Sequence, residues 1–506
     1  MPLTVWILGD QILSPHPALQ NLETQTSRQE IIVLMIESRS QAQRLPYHAK
    51  KLVLLYSAMR HYAEVLRASG YRVDYRVAAN TFAVISSHRQ EYRTDRLVTM
   101  AASSVRGRRF QNSLLSKLGI ETHIIPNTQF LSTIYDPLPD VAPGQAVRQE
   151  QLYRGMRQHF KLLIDDQGQP VGGTWNYDQK NRQALPKNLT SPKVIHFEPD
   201  SLTKQVMEEV DQFDRLTGSA EGFDLAVTHE SALRAVDDFL TQRLPYFGTY
   251  EDAMRQRAPV LFHSKLAAYL NIGLLTPLEL VQAAERCFYD GKAGINNVEG
   301  FIRQVIGWRE YMYWQYCRLM PGLAAENYWG SANALPTFFW HGRTRMNCLR
   351  QVIQRVLDLG YAHHIERLML LSNFCLLAEI HPDQVYEWFS SAFIDAYEWV
   401  MAPNVYGMGL YADGGQIASK PYIASANYIN KMSDYCQTCS FDKNQRTGEN
   451  ACPFNFLYWN FLLKHQDKLR KNYRMARMLH NLKFLDDQEK GAVQDQAQQF
   501  IEDLEK

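Results

Sequence analysis

Four cysteines constrain this chain more than any other feature. Cys436 and Cys439 form a C-x-x-C pair, Cys452 follows with Pro453 directly after it, and Cys348 lies far upstream at the end of Trp340-His341-Gly342-Arg343-Thr344-Arg345-Met346-Asn347-Cys348. Four thiolates are the ligand set of a [4Fe–4S] cluster, often supplied as a close group plus one remote ligand. Thiolates at i and i+3 fit one curved loop around a soft metal centre. Two other readings stay open: structural zinc, which more often pairs two C-x-x-C units, and buried thiols without metal. Cys287, Cys317 and Cys375 stand in apolar helical surroundings and read as core thiols.

With 506 residues, the length suits two to four domains, each able to bury a core. Lys plus Arg total 54 and Asp plus Glu 53, so a nucleic-acid surface has to be a local patch. Seven cysteines do not make a disulfide framework, and an Fe–S site implies a reducing compartment. The N-terminus has no basic region and reaches Asp10 early, so it reads as a first strand and not a signal peptide. No apolar run is long enough to span a membrane. A cytoplasmic, monomeric enzyme is the expectation.

Short apolar runs at Val5–Leu8, Ile31–Ile36, Val73–Val77, Leu97–Met100 and Thr122–Ile125 alternate with amphipathic stretches such as Lys50–Ser69, Phe82–Tyr92 and Ser104–Leu118. That alternation predicts an open parallel α/β sheet over residues 1–130. Ligands bind such sheets at the carboxyl ends of the strands. Asp10 and Glu37 end the first two strands and, from the residues alone, are ordinary strand-end carboxylates. No glycine-rich dinucleotide or P-loop motif occurs.

Residues 131–200 are rich in Pro and Gly and read as an interdomain linker, with one helix-like piece at Gln151–Ile164. Within it, Gly172-Gly173-Thr174-Trp175-Asn176-Tyr177-Asp178 offers aromatics suited to anchoring a neighbouring domain. Residues 201–506 are helical by period, with Pro277, Pro321, Pro336, Pro382 and Pro403 between helices. Gln488–Lys506 is polar and reads as a weakly packed tail helix.

Three helical segments carry polar groups where a core helix is expected to be apolar. In the first, Ser264 and Lys265 near a helix start suit a phosphate. In the second, His364 and Arg367 share a face, with His363 alongside. In the third, Asp395 is a partner for Arg367. A structural ion pair with core histidines is the alternative to a site.

These segments carry a resemblance. The chain resembles the iron–sulfur bacterial cryptochromes and photolyases, the prokaryotic (6-4) photolyase group, over nearly its whole length. The resemblance rests on Leu8-Gly9-Asp10-Gln11, Gly173–Asp178, Tyr269-Leu270-Asn271-Ile272-Gly273-Leu274-Leu275, Phe301–Tyr311, Tyr361–His364, Lys420-Pro421-Tyr422, Asn427-Tyr428-Ile429 and the four cysteines.

The resemblance implies an α/β antenna domain, a helical FAD-binding domain and a [4Fe–4S] cluster on Cys348, Cys436, Cys439 and Cys452. It implies FAD folded into a U, with Arg367 and Asp395 paired beneath the isoalloxazine. Ser264, Lys265 and Asn271 belong to the phosphate side, and Arg303 and Glu310 to a further FAD-contacting helix. A 6,7-dimethyl-8-ribityllumazine antenna has Asp10 and Glu37 in its pocket. Trp388 and Trp340 match positions that pass electrons to excited flavin. Met401 takes the position facing flavin N5, where the group usually has Glu, and methionine cannot hydrogen-bond a protonated N5.

The activity implied is light-driven repair of UV-damaged DNA. Reduced flavin donates an electron to a flipped-out (6-4) photoproduct, and protonated His364 gives it a proton, with His363 beside it and Tyr422 and Tyr428 lining the lesion pocket. Arg343, Arg345 and the stretch from Lys464 to Arg474 are candidates for DNA phosphates; for a charge run such as Lys468–Arg477 a solvated helix face is the alternative. A photoreceptor with the same cofactors is the competing reading. A primase-like Fe–S module leaves the front domain unexplained.

Overall fold

The computed structural model describes residues 3–504. The last two residues of the expected tail, Glu505 and Lys506, lie outside them. Five strands, β1 (Leu3–Ile7), β2 (Ile31–Ser38), β3 (Arg72–Ala78), β4 (Arg96–Met100) and β5 (Glu121–Ile125), form one parallel sheet in the order β3-β2-β1-β4-β5. The two-residue period of a strand sorts their side chains. Val5, Ile7, Val33, Met35 and Val98 join the main core, whereas Trp6, Leu34 and Leu97 pack on the opposite face with Val84, Ile85 and Leu114.

Helices Ala49–Ala68, Thr81–Tyr92 and Val105–Asn112 cross between strands. Asn80 and Ser104 cap the latter two, accepting from the Ala83 and Gly107 N–H groups at 2.8 and 3.0 Å. The single helix expected over Ser104–Leu118 is broken at Ser113, whose hydroxyl donates to the Phe110 carbonyl and competes with the helical ladder.

Residues from Ser201 onward are helical, as expected. The halves share one core and dock closely: the Ile12 N–H donates to the Ile272 carbonyl at 2.8 Å. Gly273 makes this approach possible. It sits at φ +85°, and a Cβ there would lie 2.9 Å from the Ile12 nitrogen. The linker region is firmly tied to the helical part. Its Gln149–Phe160 helix carries Tyr153, which donates to Glu299 at 2.8 Å, and Trp175 stacks against Arg154 and Arg157.

Three expectations need correction. The tail helix, Asp487–Leu504, is well packed: Val493 and Ala497 are fully buried against the Pro453–Lys464 helix side, and Phe500 meets Phe456. Pro403 does not separate helices but opens a wide turn inside Glu398–Gly409. Cys317 is exposed at the surface beside Arg108, not in the core.

Candidate active site

One large cavity, of about 790 Å³, opens in the helical half. This is the size range of small-molecule and cofactor sites. Three π-helical turns wall it: Arg303–Arg309, Arg367–Ser372 and Pro403–Gly409. Wide turns of this kind collect at functional sites because the extra residue breaks the regular ladder and re-aims side chains. No apolar periodicity announces them in the sequence.

On one wall Arg367 meets Asp395 in a two-pronged ion pair, Nη1 to Oδ1 and Nη2 to Oδ2 both at 3.0 Å. The Arg367 Nε–H is held by the Ala362 carbonyl, and its guanidinium lies over the Phe393 ring. Asn271 donates to the Asp395 carbonyl at 2.8 Å. Ser264, Lys265, Asn271, His363, His364, Met401, Tyr422 and Tyr428 all line the same cavity. Buried donors on the wall lack partners: Arg309 Nε and Nη2, and Trp399 Nε1.

Arg303 and Glu310 do not line the cavity. Their helix turns Gln304, Val305, Trp308 and Arg309 toward it instead. Arg303 pairs with Asp178 and faces Glu299, while Glu310 accepts from Arg309 and from the Ser132 N–H and hydroxyl. Both tie the helical part to the linker side.

The histidines are crowded. His363 is buried and stacks on His263, ring centroids 4.1 Å apart. His364 opens onto the cavity. Desolvation by the surrounding cavity wall first, then the Arg367 charge, pulls the His364 pKa down to about 4.

The four cysteines converge. Cys348, Cys436, Cys439 and Cys452 line one small apolar pocket with Met346, Phe441 and Phe454. Among the described residues, no three His, Cys, Asp or Glu side chains are disposed to hold a single metal ion. Burial first, then the neighbouring thiols, pushes Cys348 well up, Cys436 to about 11 and Cys452 to about 12.

A family model described as deoxyribodipyrimidine photo-lyase-related protein matches residues 5–225. A (6-4) photolyase of Agrobacterium fabrum is 42% identical over 483 residues, covering 94% of both chains. The chain belongs to the photolyase/cryptochrome family. The family fold appears in two solved structures: a class III photolyase from Agrobacterium tumefaciens (TM-score 0.59, 17% identity, 85% of this chain and 84% of that one) and a Synechocystis cryptochrome (TM-score 0.58, 14% identity, 97% and 94%).

In this photolyase-family chain Trp388 is fully buried and donates to the Phe339 carbonyl at 2.8 Å. Its ring contacts Phe393, which carries Arg367, and Phe389, which lines the cavity. Trp340, next to Phe339, is 39% exposed. Trp388 also meets the Phe339 ring, so packed aromatics extend from the cavity wall to the residue before Trp340.

At the cavity mouth Met478 lines the wall, and the preceding Tyr473, Arg474 and Arg477 are exposed. Other members of that basic run are engaged: Lys464 with Glu379, and Lys468 with the Tyr328 carbonyl. Arg343 and Arg345 are exposed, Arg345 over Phe441 beside the cysteines.

In the front domain of this family member Asp10 and Glu37 engage different partners. Asp10 lies beside the β1–β4 switch point and accepts from Ser103 at 2.7 Å. Burial pushes its pKa up. Glu37 is fully buried, held at both oxygens by Arg60 and accepting from Tyr75. The residue-level reading missed Arg309, Trp399 and His263. Each sits in an otherwise apolar or aromatic stretch, where nothing local distinguishes a wall from a core.

Proposed function

We propose that this protein repairs (6-4) pyrimidine–pyrimidone photoproducts in DNA by light-driven electron transfer. The observation that carries this reading is the Arg367–Asp395 wall with His364 opening onto the same cavity, in a chain 42% identical over 94% of its length to a (6-4) photolyase.

The cavity suits FAD. Arg367 and Asp395 would pair beneath the isoalloxazine, and Ser264, Lys265 and Asn271 would hold the phosphate side. When bound and reduced, FAD supplies the light-excited electron. Met401 gives that site a neighbour that neither donates nor accepts strongly.

The chain's own residues do the rest. Tyr422 and Tyr428 line the space into which a flipped base passes. Electron gain leaves the lesion basic, and His364 is the acid within reach. DNA phosphates bring negative charge that favours the imidazolium. Arg474 and Arg477 at the mouth contribute phosphate contacts. Trp388 and Trp340 carry electrons inward to re-reduce the flavin.

Cys348, Cys436, Cys439 and Cys452 would hold a [4Fe–4S] cluster as thiolates. Burial raises the pKa of Cys348, Cys436 and Cys452, so cluster assembly would release protons. A lumazine antenna would sit at the carboxyl ends of β1 and β2, with Asp10 and Glu37 around it. Asp10 keeps acceptor capacity beside Ser103, whereas Glu37, fully buried and held by Arg60 and Tyr75, would shape the pocket from behind. Illumination of reduced protein with DNA bearing a single (6-4) lesion, followed by assay for restored pyrimidines, tests the reading.

A further inference from the structure

Beneath the histidine pair lies a buried ionic cluster with no role so far. Glu366 is fully buried. Arg355 donates to both of its oxygens from Nη1, at 2.6 and 2.7 Å, and the Tyr435 hydroxyl donates at 2.6 Å. Arg355 is anchored in turn by the Gln256 carbonyl at 2.9 Å. The carboxylate therefore cannot turn away. Its Oε1 lies 3.6 Å from His363 Nε2, just beyond hydrogen-bonding range. Both His363 nitrogens are buried and without a partner.

An unsatisfied imidazole is costly, and a small ring rotation would give its Nε2–H to the fixed carboxylate. The other groups facing His363 are cationic or neutral: His263 in the stack, His364 beside it, and the Arg355 and Arg367 guanidiniums, all of which oppose a positive ring. His263 cannot help, because its two nitrogens face the Val260 and Glu251 carbonyls. Glu366 is thus the one anionic side chain against His363 among these groups.

We propose that Glu366 is the positioning residue of the His363–His364 pair: held by Arg355 and Tyr435, its carboxylate takes the His363 Nε2–H and fixes that ring's tautomer and orientation behind His364. The logic is that of any base oriented by a second, buried carboxylate. This rests on the repair function argued above.

The test uses holoprotein labelled with ¹⁵N-histidine, in the dark and without DNA, as the unaltered chain and as Glu366→Gln. The unaltered protein is expected to show His363 protonated at Nε2 and bare at Nδ1 at neutral pH. Glu366→Gln is expected to lose that fixed pattern. Its repair of (6-4) DNA should lose activity at a pH lower by about one unit, because a removed carboxylate disfavours the protonated pair. Glu366→Asp should recover part of both. Where Glu366→Gln strands Arg355 and fails to fold, the double variant Arg355→Gln/Glu366→Gln removes both charges and should show the same changes. An unchanged His363 nitrogen pattern in a variant that retains its flavin and thiolate–iron absorption would overturn the assignment. Absence of repair by the unaltered protein would instead overturn the functional reading, while the nitrogen pattern would still decide the role of Glu366.

Discussion

The guanidinium of Arg367 and the carboxylate of Asp395 pair face to face across 28 residues of sequence, each Nη bound to one oxygen at 3.0 Å, on the wall of the main cavity. Removing one partner of a buried pair leaves the other uncompensated, at about 3–5 kcal/mol. Asp395→Asn should therefore lower flavin content and thermal stability together, whereas a substitution at exposed Arg343 should do neither. Flavin released on denaturation, per mole of protein, checks this.

The thiol pocket predicts about four irons and acid-labile sulfide per chain. Cys348→Ser and Cys452→Ser should abolish the thiolate–iron absorption and yield mostly insoluble protein, because Cys348 joins distant helices to the Cys436–Cys452 segment. Zinc without sulfide would contradict the cluster assignment.

Two buried histidines predict acid lability. His16 Nδ1 accepts from the Ala18 N–H and His48 Nδ1 from the Lys50 N–H, both at 3.2 Å and both as helix caps. An imidazolium has no acceptor, so protonation destroys each cap. Burial lowers their pKa values to about 3 and about 4. Because the folded values lie below the unfolded value near 6.5, this stability is complete above pH ~6.5 and is lost as pH falls from there toward 4. The limiting slope is about 1.4 kcal/mol per pH unit for each histidine. His16→Asn keeps a capping acceptor and should flatten the pH dependence of the urea midpoint between pH 6.5 and 4.5.

Much of the fold was legible because it rests on periodicity. The five strands alternate with amphipathic helices, and β1 to β5 fall within one or two residues of the apolar runs that announce them. The site was legible where polar residues interrupt apolar helices, as at His363, His364 and Arg367. It was illegible where the structure uses residues that also build cores. Arg309 and Trp399 face the cavity while Arg303 and Glu310 face away, a difference set by the wide turn at Arg303–Arg309. The tail docks more firmly than its composition suggests because two buried residues, Val493 and Ala497, suffice to seat an otherwise largely exposed polar helix.

Trp388 contacts Phe393 and Phe389 on the cavity side and reaches toward Trp340 through Phe339. Trp388→Phe should slow photoreduction of oxidised flavin sharply while leaving repair by chemically pre-reduced protein near normal. Equal loss of both would make Trp388 a packing residue.

Glu37→Ala should leave FAD in place and reduce any fluorescent lumazine released on denaturation. Loss of both chromophores would instead mark the Arg60–Glu37–Tyr75 cluster as purely structural.

The central claim is proton delivery from His364 to a (6-4) lesion. The most direct measurement compares the quantum yield of (6-4) repair by reduced unaltered protein and by His364→Ala, each with its flavin content, iron content and lesion-DNA affinity verified. The account predicts retained cofactors, affinity within a fewfold of the unaltered protein, and repair all but abolished. Near-normal repair by His364→Ala would contradict the proton-donor role, and absence of repair by the unaltered protein under any light would favour a photoreceptor over a repair enzyme.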